Sequence, residues 1–340
     1  MSVGQLLWFS GLAIVATAAV WKGSEYLERT SERLSTYYGL PAVVQGAVVV
    51  AVGSSFPELS STVLSTLLHG EFDLGVGAIV GSAIFNILVI PGVAGLYAEE
   101  SLESNRTIVY KEAQFYMLAV SALVITFALA VIYHPVSTTT LRGMVTRELA
   151  FLPIILYGLY VFIQYQDVME YESTDDISEI NVLKEWALLI VSLIVILIAV
   201  EGMVRAALGF GRIFNTPSFL WGLTIIAAGT SLPDALVSWR AARAGESVTS
   251  LANVLGSNTF DLLVAIPMGV LIAGSASINF ASAVPMMGVL TVATLVLFTV
   301  LRTDLTLSIY EAWLLLGTYT LFIFWLILET IGLLSYLPNA

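Results

Sequence analysis

AVGSSFPE at residues 51–58 and AAGTSLPD at residues 227–234 are two versions of one pattern, each inside a long apolar stretch. An offset of 176 residues carries the glycine, Ser55 and the proline of the first segment to the glycine, Ser231 and the proline of the second. It also matches Glu58 with Asp234. A proline removes a helical amide donor and clashes with the preceding turn. Each segment therefore predicts an unwound turn within a helix, with main-chain carbonyls left free to bind a ligand.

The repeat extends well beyond these two segments. An offset of 176 carries Glu25 to Glu201, Pro41 to Pro217 and Gly46 to Gly222, and an offset of 175 carries Gly70 to Gly245, Gly81 to Gly256, Ser82 to Ser257 and Phe85 to Phe260. Hydrophobicity alone would not align glycines, prolines and acids in register. The sequence predicts two related units, residues 1–165 and 182–340, joined by a linker at 166–181.

The composition is that of an integral membrane protein. Hydrophobic residues make up 58% of the chain and charged residues 11%, whereas soluble domains carry about 25% charged residues. Apolar segments of about 20 residues predict membrane helices, here near 4–22, 40–68, 74–97, 107–133, 147–165, 182–204, 215–240, 248–273, 278–301 and 309–334. Because five helices per unit is an odd number, the predicted all-α fold contains two inverted five-helix repeats with interrupted second and seventh helices.

Basic residues set the predicted orientation in the cell membrane. Nine of the 13 Lys and Arg lie in loops on one side and four on the other, and the positive-inside rule places the nine in the cytoplasm. Both termini are then extracytoplasmic and the 166–181 linker is cytoplasmic. The linker holds six acidic residues and no basic one, without the ordered ligands of an EF-hand loop, so we interpret it as a solvated connection.

The two matched acids predict a cation site. A charged side chain at mid-membrane costs about 2.5–3.5 kcal/mol on insertion scales, and a helix cap contributes only about 1 kcal/mol, so a capping box alone does not justify these acids. Ser82 and Asn86 share a helix face, as do Ser257 and Asp261. Oxygen ligands of this kind bind hard cations. The predicted ligands are Glu58, Asn86, Asp234 and Asp261, surrounded by Ser54, Ser55, Ser82, Thr230, Ser231 and Ser257.

GSSFPEL with AIVGSAIFNIL, and GTSLPDA with NVLGSNTFDLL, resemble the two alpha-repeats of the calcium/cation antiporter superfamily. The resemblance covers nearly the whole chain and is nearest to sodium/calcium exchangers, in particular the potassium-dependent branch, because cation/proton exchangers usually show GN-x-x-E at these positions. It implies antiport of Ca2+ against Na+ by alternating access, with the four ligands binding Ca2+ and Na+ at overlapping sites and the hydroxyls near Ser54, Ser55, Thr230 and Ser231 holding further Na+. Asp234 departs from the Glu of many exchangers.

The residue content and motifs of the chain also bear on other function classes and other ions. The chain lacks basic patches, cysteines and an H-E-x-x-H motif and has only two His, which argues against nucleic-acid binding, thiolate chemistry and a zinc enzyme. An intramembrane aspartyl protease fits the serine-flanked acids less well, and a passive channel is a third alternative that saturating, sodium-dependent exchange would exclude. No cofactor is expected. Transport of Mg2+ or Mn2+ stays open, because these ions prefer oxygen ligands as Ca2+ does. Proton coupling and K+ co-transport also stay open.

Overall fold

The computed structural model describes residues 3–40, 49, 51–97, 102–103, 111–137, 141–168, 180–243, 247–303, 305–330 and 333–334. The helices are α1 Val3–Tyr37, α2 Ala51–Ser54, α3 Phe56–His69, α4 Phe72–Tyr97, α5 Ala113–Tyr133, α6 Arg147–Val168, α7 Val182–Phe214, α8 Ser218–Trp221, α9 Ala227–Arg243, α10 Ser247–Phe260, α11 Ile266–Ala273, α12 Phe280–Arg302 and α13 Ile309–Thr330. π-helical turns at Gly222–Ile226 and Asp261–Ala265 link α8 to α9 and α10 to α11.

The predicted multi-span membrane architecture is confirmed. Within the described ranges, nine helices are long and apolar enough to cross a membrane. The second predicted span, 40–68, lies partly outside the described residues, and its described part forms α2 and α3. Asn105 and most of the 166–181 linker also lie outside them.

Two predicted helix ends are wrong. The first helix continues to Tyr37 instead of ending near residue 22, and the sixth continues to Phe214 instead of 204. Neither extension contains a proline, and each keeps a buried face, which includes Leu27 and Leu34 in α1 and Ala206 and Phe210 in α7. At 35 residues, α1 is about 50 Å long and outruns a hydrocarbon core of about 30 Å. A hydropathy window therefore detects only the part of each helix that lies in lipid.

α1 and α7 pack along each other and against the segments that carry the predicted ligands. Val20 and Leu27 of α1 share a buried cluster with Ile196, Val200 and Met203 of α7. α1 also contacts α2 and α9, while α7 contacts α3 and the π turn before α9. The paired long helices thus lie across both predicted interruptions.

Among the described residues, two small antiparallel sheets accompany the helices, in segments that were predicted from the sequence to be loops or span ends. β2 (Arg142–Thr146) pairs with β3 (Ser275–Asn279), with Met144 opposite Ser277, and β1 (Leu102–Glu103) pairs with β4 (Thr306–Leu307). Each sheet joins a connection of the first unit to one of the second. Such short strands carry too few residues for a period-two pattern to be recognised.

α4 forms the centre of the molecule through contacts that only glycine permits. A Cβ atom on Gly81 would overlap the Leu223 carbonyl oxygen and lie 2.8 Å from the Ala227 Cβ. A Cβ atom on Gly222 would overlap the Leu74 carbonyl oxygen and lie 2.9 Å from the Ala78 nitrogen. α4 and the α8–α9 segment therefore touch backbone to backbone, as small residues allow in membrane proteins.

The two predicted interruptions differ in form. Between α2 and α3 the helix breaks at Ser55, as predicted. In the seventh helix the irregular segment is the π turn at Gly222–Ile226, and α9 runs unbroken through Gly229 and Pro233, so the unwinding predicted there is wrong. A helix packed on several sides can retain a proline at the cost of one hydrogen bond. Pro233 still withholds the amide that would bond the Gly229 carbonyl.

The second π turn explains a change in the repeat offset. The offset is 175 at Asn86 and Asp261 but returns to 176 at Pro91 and Pro267. A π turn bonds residue i to i+5 and thus holds one residue more than an α turn. The turn that starts at Asp261 accommodates the extra residue directly beside a predicted ligand.

Candidate cation site

The ten predicted site residues are all buried where α2, α3, α4, α9 and α10 meet. The exposed fractions are 0% for Ser55, Ser82, Asn86, Ser231 and Asp261, 1% for Glu58 and Thr230, 2% for Ser257, 4% for Asp234 and 7% for Ser54. Burial of so many polar side chains costs free energy unless partners satisfy them, so their hydrogen bonds decide what the cluster can do.

Serine hydroxyls connect the two units directly. The Ser55 and Ser257 Oγ atoms lie 2.9 Å apart and share a hydrogen bond, and Ser231 Oγ donates to Ser82 Oγ at 2.7 Å. The Ser55 side chain makes no capping bond to α3, so the capping-box alternative does not describe this residue. Each unit therefore contributes one serine to each hydroxyl pair.

Two of the carboxylates accept bonds from this polar cluster. Ser82 Oγ donates to Glu58 Oε1 at 3.4 Å. Asp234 Oδ2 accepts from Ser257 Oγ at 3.3 Å and from Asn86 Nδ2 at 3.5 Å. Thr230 Oγ1 donates to the Ala227 carbonyl at 3.4 Å, a main-chain contact within α9, and its side chain also interacts with Glu58. These bonds leave part of each carboxylate free, because an ionised carboxylate can accept about four.

Several buried oxygens of the predicted ligands have no hydrogen-bond partner among the described residues. They are Glu58 Oε2, Asn86 Oδ1 and both carboxylate oxygens of Asp261. Buried polar atoms in native proteins are nearly always paired, and exceptions require an explanation such as an ion. Four unpaired oxygens from three of the four predicted ligands form the donor set that a hard cation prefers.

Asn258 belongs to the same cluster, although it is not among the site residues predicted from the sequence. Its side chain is fully buried, accepts from Asn86 Nδ2 at 3.0 Å and donates to the Ala83 carbonyl at 3.3 Å. It also lies 3.5 Å from the Tyr116 hydroxyl. The 175-residue offset pairs Asn258 with Ala83, so a search for matched polar residues passes over it. Its position beside Ser257 in GSNTFD was the available signal.

Comparison with known protein families agrees with this architecture. The sequence profile of the family described as "Sodium/calcium exchanger protein" matches residues 8–166 and 184–328. The chain belongs to this family. It is therefore a membrane protein of a family of cation/calcium antiporters, and such proteins are transporters, not enzymes.

A curated relative in the same family supports the resemblance to the potassium-dependent branch. The mouse sodium/potassium/calcium exchanger 4 is 35% identical over 162 residues, which cover 47% of this chain and 22% of that protein. The chain matches less than a quarter of that relative.

Two solved structures share the fold. The sodium-calcium exchanger NCX_Mj, in crystals soaked with Na+ and Sr2+, has a TM-score of 0.60 at 22% identity and covers 93% of this chain and 98% of its own. A H+/Ca2+ exchanger, CAX, has a TM-score of 0.70 at 16% identity and covers 96% of this chain and 86% of its own. At these identities the likeness shows the membrane exchanger fold alone.

Proposed function

We propose that this chain exchanges Ca2+ for Na+ across the cell membrane, with Glu58, Asn86, Asp234 and Asp261 as the Ca2+ ligands. The observation that carries this proposal is the set of unpartnered oxygens on Glu58, Asn86 and Asp261, fully buried among hydroxyls contributed by both units. Carboxylate and amide oxygens are the ligands that Ca2+ takes in proteins.

Na+ would use the same oxygens and the hydroxyl shell around them. The shell consists of Ser54, Ser55, Ser82, Thr230, Ser231 and Ser257. The main-chain carbonyls of Gly53 and Gly229, whose i+4 residues are the amide-lacking Pro57 and Pro233, add two further acceptors. Ions that compete for shared ligands cannot occupy the site together, and this competition couples the two fluxes.

The charge of the site requires a companion to Ca2+. Glu58, Asp234 and Asp261 carry three negative charges when ionised, so one Ca2+ leaves one charge uncompensated in a buried position. Such a charge either takes a proton or gains a partner. We propose K+ as that partner, because the potassium-dependent relatives share the sequence pattern, and a proton at Asp261 is the competing solution.

Alternating access would come from the long helix pair. α1 and α7 pack mainly on each other and lie across α2, α3 and α9, while glycine-mediated backbone contacts fix α4 against α9. Movement of the pair over this fixed core would expose the site to one side and then to the other. We place both termini outside the cytoplasm and the 166–181 linker inside, between two inverted units at 1–165 and 182–340.

The decisive experiment is gradient-driven 45Ca2+ uptake into proteoliposomes with Na+, K+ and pH varied separately. Wild-type protein should take up Ca2+ only against a Na+ gradient. Glu58→Gln and Asp234→Asn should each abolish uptake. Glu112→Gln is the matched control, because Glu112 is also buried but bonds Tyr160 and Gln164 away from the site. Uptake driven by a pH gradient alone would show that H+, and not Na+, is the coupling ion. Wild-type uptake rates in Asp234→Asn would refute the assignment of Asp234 as a ligand.

A further inference from the structure

Glu28 is a partly buried carboxylate on α1 that the proposed site does not use. Among the described residues, no hydrogen bond or ion pair engages it. Glu25, one turn earlier, is paired with Lys22 at 2.7 Å, and Glu32, one turn later, is exposed. A partly desolvated carboxylate without a basic partner either takes a proton or gains a cation beside it.

Glu28 lies next to the candidate cation site. Its Cα atom packs against Gly53, where a Cβ atom would lie 3.9 Å away, and Gly53 directly precedes Ser54. The Glu28 carboxylate is also close enough to Asp234 for the two charges to repel each other. Glu28 thus packs beside Gly53, one residue before Ser54, on a helix that also contacts α9.

The candidate site is most accessible at this same position. Ser54 and Asp234 retain exposed fractions of 7% and 4%, the two largest among the ten site residues. Both are neighbours of Glu28. Since α1 runs toward its end at Tyr37, this opening lies on the half of the molecule where α1 ends.

The equivalent positions of the second repeat are more tightly packed. The 176-residue offset carries Glu28 to Val204, which is fully buried, and Ser54 to Thr230, which is 1% exposed. A Cβ atom on Gly229 would overlap the Met203 Cε, whereas a Cβ atom on the equivalent Gly53 would have its nearest neighbours at 3.9 Å. The two access routes are therefore unequal, and Glu28 has no acidic counterpart.

An apolar cavity beside the N-terminal half of α1, at Ala13 and Thr17, is a less favourable route for ions. It measures about 780 Å3 and lies between α1, the α8–α9 segment and α13, with Leu220, Ile323 and Leu326 in its wall. A hydrated cation loses its solvation in such a space, because the wall supplies few oxygens. Glu28 therefore lies on the side of the site that offers a cation more oxygen ligands.

We propose that Glu28 and Asp234 together form an entry site for the transported cation, on the side of the membrane where α1 ends. The inference rests on the proposed exchange function. A cation held between the two carboxylates would contact α1 and the fixed core at once, before it moves to Asp261 and Glu58 or after it leaves them. Since the repeat counterpart of Glu28 is the apolar Val204, the effect of the Glu28 carboxylate is confined to one side of the membrane.

The test is a side-specific measurement in vesicles with the protein inserted in one known orientation. Glu28→Gln should raise the half-saturating Ca2+ concentration several-fold on the side where α1 ends and leave it unchanged on the other side. Uptake at saturating Ca2+ should persist. Glu25→Gln is the matched control, because Glu25 is one turn away on α1, exposed and paired with Lys22, and it should behave as wild type. Glu28→Asp should recover most of the affinity, and it replaces Glu28→Gln if that variant does not fold.

The outcomes separate this inference from the function on which it rests. Wild-type exchange with an unchanged Glu28→Gln variant would overturn the entry site and leave the exchange function intact. An equal loss of affinity on both sides would also overturn it, since that result describes a ligand of the central site. Absence of exchange in the wild type would overturn the proposed function and, with it, the entry site.

Discussion

Substitution of Gly81 by alanine tests whether α4 is the fixed part of the molecule. The new Cβ atom would lie 2.8 Å from the Leu223 Cα and the Ala227 Cβ, and would overlap the Leu223 carbonyl oxygen. Carbon atoms pack best at about 3.5–4.0 Å, so α4 and the α8–α9 segment must separate by roughly 1 Å. Overpacking of this kind costs about 1–3 kcal/mol.

Gly288→Ala is the matched control for this change. Gly288 lies within α12, and no atom lies within 4 Å of the position its Cβ would take. Both substitutions gain about 1 kcal/mol of helix propensity, and this gain cancels when the two variants are compared. Gly81→Ala should therefore be less stable than Gly288→Ala by about 1–3 kcal/mol.

Equilibrium unfolding in detergent, without Ca2+, measures this difference. Exchange by Gly81→Ala should also be impaired, because α4 carries both Ser82 and Asn86 and any separation moves them away from Ser231 and Asp234. Equal stabilities of the two alanine variants would refute the close backbone contact. Full exchange activity in a clearly destabilised Gly81→Ala would instead show that the site tolerates movement of α4.

Two further predictions concern the charge of the site and the orientation of the chain. If K+ accompanies Ca2+, exchange by the wild type should require K+ and exchange by Asp261→Asn should not. If a proton takes that role, exchange by both proteins should be independent of K+. An Asp261→Asn variant that is inactive with and without K+ would contradict the charge argument. A cysteine introduced as Thr174→Cys should react with impermeant reagents only from the cytoplasm, and the Asn105 sequon should stay unglycosylated; labelling of intact cells from outside would reverse the proposed orientation.

The pattern of the sequence predicts most of the membrane architecture and the main site residues, because burial in lipid restricts where acids and prolines can stand. Glu58 and Asp234 are conspicuous for this reason, and the structure brings them to one cluster. The path of α9 through Pro233 was not predictable, since tertiary packing, not local sequence, decides whether a proline breaks a helix. Asn258 was not predicted because its equivalent in the first unit, Ala83, is apolar.

The extensions of α1 and α7 show a different limit of sequence reasoning. Beyond residues 22 and 204 the hydropathy falls, but the helices persist because their buried faces continue to find partners. Glu28 lies in such an extension and would count as a loop residue in any division by hydropathy. The long-range contacts of a polar helix segment cannot be read from its composition.

The hydroxyl pairs Ser55–Ser257 and Ser82–Ser231 have a consequence for the origin of such a chain. Neither five-helix unit holds both members of a pair, so a half-length ancestor could assemble the cluster only as a dimer of oppositely inserted copies. Such an ancestor would have needed a nearly balanced distribution of basic residues, so that its copies entered the membrane in both directions. In a single fused chain the two copies can differ, and the difference between Glu28 and its offset partner Val204 is one that no symmetric dimer of identical copies could hold.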